Sequence, residues 1–175
     1  MLTLGIVNTY DRIKIHEAHY RSIARAAPIA YAFGFNLALF DFPFRMRAKE
    51  LVDFVKHRTT IGKEGKYLEE LLHSNMFFVF DLPKKGFQPQ FGTPVVTTSH
   101  PDEQKKIQIK NLAEMANKES FLLLIGLGHR GLPKRLFDIA SFHLDITSRG
   151  VPLETCTAIG AVPAMISAWF SCLRD

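Results

Sequence analysis

Five short apolar runs, at residues 2–8, 36–42, 76–82, 94–98 and 121–127, decide what this chain can become. None alternates cleanly between polar and apolar residues, as a strand with one wet face would. Such runs suit strands covered on both faces, and parallel strands need a crossover of a dozen or more residues, usually a helix. The stretches between them carry that signal. Ile15, Ala18, His19, Ile23, Ala26, Ala27, Ala30 and Phe33 recur at helical spacing over 13–33. Gly34 follows as a helix stop, and Pro28 is expected to kink the helix. Further helices are expected over 48–57, after a turn at 62–65 as far as residue 72, over 101–117, over 133–140 and over 153–173, the last interrupted near Gly160 and Pro163. A last short strand is expected over 143–147. Residues 84–92 read as a loop. The consistent architecture is one α/β domain over 1–175, a mainly parallel sheet with helices on both faces.

Composition narrows the class. The chain has 175 residues, 47% hydrophobic and 22% charged, which allows a real core and leaves little room for disorder. The start lacks a basic n-region and a cleavage site, so no signal peptide is expected. No apolar run approaches the roughly 20 residues of a bilayer span. Cys156 and Cys172 read as free thiols, which suits the cytoplasm. The net charge of +5 is accompanied by clustering of Arg45, Arg47, Lys49, Lys56, Arg58, Lys63 and Lys66. That cluster reads either as a solvated helical face or as a phosphate-contacting patch.

In open α/β sheets, ligands bind beyond the carboxyl ends of the strands. Two loops there stand out: Thr97-Thr98-Ser99-His100, and the run from Gly126 to Pro133. The second contains G-x-G-x-x-G, with Asp145 farther on, which on paper is a dinucleotide fingerprint. Against that reading, the following helix is short and begins Leu-Pro, which removes one donor that a diphosphate would use.

The whole C-terminal third gives a better account. The runs from Phe121 to Pro133, Phe142 to Ile146 and Val151 to Ala158 resemble the SPOUT superfamily of RNA methyltransferases, and an archaeal branch of it. In that superfamily a hydrophobic strand ends in a Gly-rich loop with a trailing Gly-Leu-Pro. The resemblance covers residues 94–170 well, and 1–93 in order of elements. It implies a C-terminal trefoil knot, with 153–170 tucked through the preceding loop, and a site for S-adenosylmethionine. Gly126, Gly128 and Gly131 would let the backbone approach the ligand, because a Cβ there would take its volume. Leu127, Leu132, Ile146 and Leu153 would form walls, and Thr98, Ser99, Thr155 and Thr157 would offer hydroxyls. A homodimer is implied too, with Ile159, Val162, Ile166, Trp169 and Phe170 facing either a partner or their own core.

Two positions depart from the pattern. Glu154 stands where ribose-methylating members usually have Asn, and His129 where many have Glu. For the methyl acceptor, relatives commonly use an Arg near the first loop or first helix; Arg12, Arg21 and Arg25 are the candidates, with Arg12 and Arg25 both left open. Glu154 reads as a base or as a cap of the last helix. His129 is a candidate for proton handling. No carboxylate completes a metal site with His16, His19, His129 or His143, so no metal is expected. The function implied is S-adenosylmethionine-dependent methylation of tRNA or rRNA. An RNA-binding relative without turnover is the alternative, and a nucleotide-dependent oxidoreductase a lesser one.

Overall fold

The computed structural model describes residues 1–59 and 62–172, without the side chains of 62–64. Six strands are present: β1 (Leu2–Asn8), β2 (Asn36–Phe40), β3 (Phe77–Phe80), β4 (Thr93–Thr97), β5 (Phe121–Leu127) and β6 (Phe142–Leu144). The helices are α1 (Glu17–Phe33), α2 (Ala48–Lys56), α3 (Gly62–His73), α4 (Ile109–Ala116), α5 (Lys134–Ile139) and α6 (Thr155–Cys172). The strands form one sheet in the order β3-β2-β1-β5-β4-β6, and every pairing is parallel. The first pair of central strands runs Leu2 opposite Phe121 through Asn8 opposite Leu127.

The apolar runs became strands because both sides of each are covered. Leu4, Ile6, Leu37, Leu39, Leu123 and Ile125 face one layer with α1, α2, α3, α4 and α6. Val7, Phe40, Val96, Leu122 and Leu124 face the other, where α5 and residues Leu82 and Phe91 cover them. Helices therefore lie on both faces, but unequally. Phe121, Leu122, Leu123 and Leu124 are fully buried, each worth about 1.5–3 kcal/mol of transfer free energy.

Several elements differ from the sequence expectation. Helix α1 starts at Glu17 rather than residue 13, because the Asp11 carboxylate takes the Ile13 and Lys14 N–H groups and holds them in a turn. It passes through Pro28 and ends at Gly34, which is left-handed and donates to the Ala30 and Tyr31 carbonyls. The expected turn at 62–65 is the first turn of α3; the Lys63 side chain lies outside the described residues. Residues 101–108 are not helical. They run beside β6, where the Ile107 N–H donates to the His143 carbonyl at 3.0 Å and the His143 N–H donates to that of Lys105 at 2.8 Å. The last strand ends at Leu144 rather than 147, because the Asp145 carboxylate starts a turn.

Helix α6 is continuous across Gly160 and Pro163, since burial of Pro163 and its neighbours outweighs the lost backbone bond. By length and composition its 18 residues could cross a membrane; here it packs on α1, α4 and β5. Ile159, Val162 and Ile166 are buried in their own core, while Trp169 and Phe170 are only partly covered.

Candidate functional site

The carboxyl ends of β1, β5, β4 and β6 open on a cleft of ≈ 660 Å³, within the range of small-molecule sites. Its lip is the glycine loop. The Gly131 N–H closes a turn onto the Gly128 carbonyl at 3.2 Å. A Cβ on Gly126 would lie 2.8 Å from the Gly131 carbonyl carbon, and one on Gly128 3.2 Å from the Tyr10 nitrogen. The Thr9 hydroxyl and N–H both donate to the Leu127 carbonyl, fixing the end of β5 to the loop after β1.

Of the residues expected from sequence, Thr98, Ser99, Gly126, Leu127, Gly128, Gly131, Ile146, Leu153 and Thr155 gather around this cleft, as do His129, Leu132 and Glu154. Their local ties are specific. The Thr155 hydroxyl donates to the Gly126 carbonyl at 2.9 Å, latching α6 to the glycine loop. Ser99 Oγ meets His100 Nδ1 at 2.9 Å. Glu154 caps α6, its Oε2 accepting from the Cys156 N–H at 2.8 Å and the Thr157 N–H at 3.3 Å.

Four expected residues are not brought in. Thr157 is exposed on α6 and does not line the cleft. Arg12 is paired with Asp41 at 2.9 Å, beyond the end of β2. Arg25 lies where α1 meets the start of α6, its guanidinium donating to the Cys156 sulfur at 3.1 Å. Arg21 pairs with Glu17 along α1.

Tyr10 and Ala18 line the cleft without having been expected as ligand contacts, and Asp145, expected only in the dinucleotide reading, lines it too. Only the pairing of β1 with β5 brings residues 10 and 18 here, so no local signal could have found them. Asp145 is the acid of the dinucleotide fingerprint, but its carboxylate is already used. It accepts from the Thr147 N–H and hydroxyl and, at 2.7 Å, from the Gly150 N–H. Burial works against its ionisation, yet these bonds win and hold it below the usual carboxylate value. These bonds fix the 147–151 turn, whose Gly150 lies against the Ser99 carbonyl.

Beside the cleft, His16, just before α1, and His19, in its first turn, form a hydrogen-bonded network. The His16 N–H donates to His19 Nδ1 at 2.9 Å, so the proton of His19 sits on Nε2, which meets Asn8 Oδ1 at 3.2 Å. His16 Nε2 meets Asp11 Oδ2 at 2.7 Å. His143 is buried and bonded to the Asp102 N–H and the Phe137 carbonyl. Burial, above all, pulls His19 below its ordinary value of 6.5. The unfolded chain therefore takes up a proton that the fold resists, and stability is complete above about pH 6.5 and declines as pH falls below it. Asp11 is held well below the usual value by the Ile13 and Lys14 N–H groups and His16. Its contribution is lost only as pH falls on through the carboxylate range. Urea midpoints from pH 8 to 4 should show the first decline in the parent and not in His19→Gln. An identical slope in both would contradict the assignment.

The family described as Protein of unknown function (DUF531) matches residues 2–167. Uncharacterized protein MJ0224 of Methanocaldococcus jannaschii is 48% identical over 165 residues, 94% of this chain and 92% of its own. Among solved structures, TrmJ from Z. mobilis ZM4 gives a TM-score of 0.62 at 14% identity, covering 97% of this chain and 70% of its own. The SpoU methyltransferase AviRb from Streptomyces viridochromogenes, in complex with the cofactor AdoMet, gives 0.53 at 16%, covering 95% and 57%. A structure described as giving insights into the 2-OH methylation of C/U34 on tRNA gives 0.56 at 14%, covering 98% and 97%.

Proposed function

This chain belongs to the DUF531 family and has the fold of SpoU/TrmJ-type (SPOUT) methyltransferases, and we propose that it is an S-adenosylmethionine-dependent methyltransferase of tRNA or rRNA. The observation that carries the reading is the glycine-lipped cleft. A side chain at Gly126 would strike the Gly131 backbone, and one at Gly128 would press on Thr9 and Tyr10. These two glycines therefore let the loop close on itself rather than clear ligand volume, while a Cβ on Gly131 would meet nothing. The closed loop leaves main chain on the lip of the cleft. A bare lip of that kind suits adenine, a neutral ring recognised by N–H and C=O groups and apolar contact. Leu127, Leu132, Ile146 and Leu153 supply the apolar contact, and Thr98 and Ser99 the hydroxyls for the ribose or the methionine end. When bound, the cofactor supplies an electrophilic methyl on a sulfonium.

The protein's share is alignment, exclusion of water and removal of the acceptor's proton. Glu154 and Thr155 stiffen the start of α6, and Asp145 stiffens the turn above Ser99. His129 lines the cleft and offers an imidazole nitrogen to the acceptor's proton. Arg12 stands outside the lining, in the exposed loop after β1, where it would meet an acceptor entering from the sheet edge. The same reading includes a C-terminal trefoil knot formed by 153–170, a cytoplasmic location and a homodimer, with Trp169 and Phe170 the half-covered apolar residues left for a partner.

A second reading is a relative that binds RNA and the cofactor without turnover. It is favoured by Glu154, Arg12 and Arg25 all being committed to partners within the chain. Two measurements decide. Calorimetric titration is expected to give micromolar binding of S-adenosylmethionine and none of NAD; binding of NAD alone would overturn the proposal. Tritium from labelled S-adenosylmethionine is expected in RNA from a strain lacking the protein, and binding without transfer would favour the inactive relative.

A further inference from the structure

A second cleft, of ≈ 460 Å³, opens beyond the ends of β2 and β3, lined by Phe42, Phe44, Arg45, Arg47, Phe80 and Asp81 among others. Nothing in the methyl-transfer reading uses it. Its inner wall is rigid for a clear reason. Phe42 and Phe44 are buried and stacked, 6.0 Å apart, against His19 and Phe54. Alternation along this extended segment then sends Arg45 and Arg47 outward, and both are exposed.

The structure also sorts the basic cluster of 45–66. Lys56 pairs with Glu69 at 2.8 Å, and the Arg58 guanidinium lies 3.7 Å over the Phe54 ring. Arg45 and Arg47 form no ion pair among the described residues; Glu50, the carboxylate nearest in sequence, spends an oxygen on the Arg47 N–H at 3.0 Å. Glu50 and Asp81, both in the lining, are the opposing charges of the cleft, and neither forms an ion pair with Arg45 or Arg47 among the described residues.

Both clefts lie on the same sheet edge. The order β3-β2-β1-β5-β4-β6 puts the second one two strands, about 10 Å, from the first. Arg12 sits between them, pairing with Asp41, from which the Phe42–Arg45 segment departs. Asn8 at the end of β1 donates to the Asp41 carbonyl at 2.9 Å, and the Leu82 N–H donates to its carboxylate at 2.7 Å. The ends of β1, β2 and β3 are thus tied into one platform.

We infer that this second cleft grips the phosphodiester backbone of the RNA strand that delivers its nucleotide to the first cleft. Two outward guanidiniums on a rigid segment suit phosphate oxygens, and each neutralised phosphate of a single strand contributes about 0.7 to the salt dependence of binding. The inference rests on the RNA methyltransferase reading for the strand's destination, but the grip is measurable without turnover.

The test is fluorescence anisotropy with a short fluorescein-labelled single-stranded RNA of mixed sequence, over a series of salt concentrations. Arg45→Ala/Arg47→Ala should weaken binding about tenfold and lower the log–log salt slope by about 1.4, with S-adenosylmethionine affinity unchanged by calorimetry. Asp81→Asn should tighten RNA binding, which keeps the assignment testable should the double variant not fold. Lys118→Ala, at the opposite edge of the sheet, should change nothing. Unchanged affinity and slope in the double variant, or equal weakening by Lys118→Ala, would overturn the inference. A parent chain that binds no S-adenosylmethionine, yet holds RNA through Arg45 and Arg47, would overturn the methyltransferase reading and leave the grip standing.

Discussion

Replacing Gly92 by alanine is expected to lower the unfolding free energy by about 4 kcal/mol, the largest effect of any single methyl in this fold. Gly92 has φ 78 and ψ −162, a backbone region open essentially to glycine alone, which another residue adopts at a cost of about 1–3 kcal/mol. The added carbon would also lie 2.0 Å from the Ser120 carbonyl oxygen and 2.2 Å from its carbon. Neither atom is the end of a flexible side chain. Ser120 must move, and it enters the sheet directly: its carbonyl accepts the Thr93 N–H at 2.8 Å, and the next residue, Phe121, donates to the Met1 carbonyl. Displacing it loosens the first rungs of β4, β5 and β1 together. Gly86→Ala is the control, because nothing lies within 4 Å of its added carbon. Urea unfolding should give a strongly lowered midpoint for Gly92→Ala and one within about 0.5 kcal/mol of the parent for Gly86→Ala. Equal midpoints would contradict the account of how β4 begins.

Gly126→Ala should weaken S-adenosylmethionine binding at least about 100-fold, or about 2.7 kcal/mol, while the chain still folds. The new methyl would meet the Gly131 carbonyl carbon at 2.8 Å and the Leu132 nitrogen at 3.1 Å, all backbone atoms of the turn that forms the lip of the cleft. The strand beneath resists movement, since β5 is paired with β1 through Gly126 and Leu127 and with β4 as far as Leu124. The turn must yield instead, and its main-chain groups then leave the positions from which they would hold adenine. A loss of about 1–3 kcal/mol in stability is expected from the displaced turn. Cooperative unfolding with binding lost would support the assignment; full affinity in the variant would remove the glycine loop from the site.

Much of the sheet is legible in the chain. β1 and β5 are found to the residue because each is an apolar run bounded by polar or Gly residues, with no competing period. Elements whose state depends on a distant partner are not. Residues 101–108 look like the start of an amphipathic helix, but their backbone groups are taken by His143, which lies far along the chain. Pro28 and Pro163 read as interruptions, yet packing of α1 against α6 keeps both helices continuous.

The same division holds at the cleft. The loops that follow β4, β5 and β6 are recognisable from glycines and hydroxyls, and the structure gathers them. Thr157 shares the local pattern of Thr155 but points away, because helical rotation separates residues two apart. Tyr10 and Ala18 come from the first strand's exit loop and first helix, and nothing local announces their place beside Gly128. The arginines fail for a further reason: sequence gives their charge, but not that Asp41 and Cys156 already engage Arg12 and Arg25.

The most direct test of the central claim is a crystal structure of the protein with S-adenosylhomocysteine. Density for the ligand is expected between the 126–132 turn and the 145–155 segment, its adenine against main-chain groups near Gly126 and Gly128. Ligand seated elsewhere, with that cleft holding only solvent at saturating concentration, would contradict it.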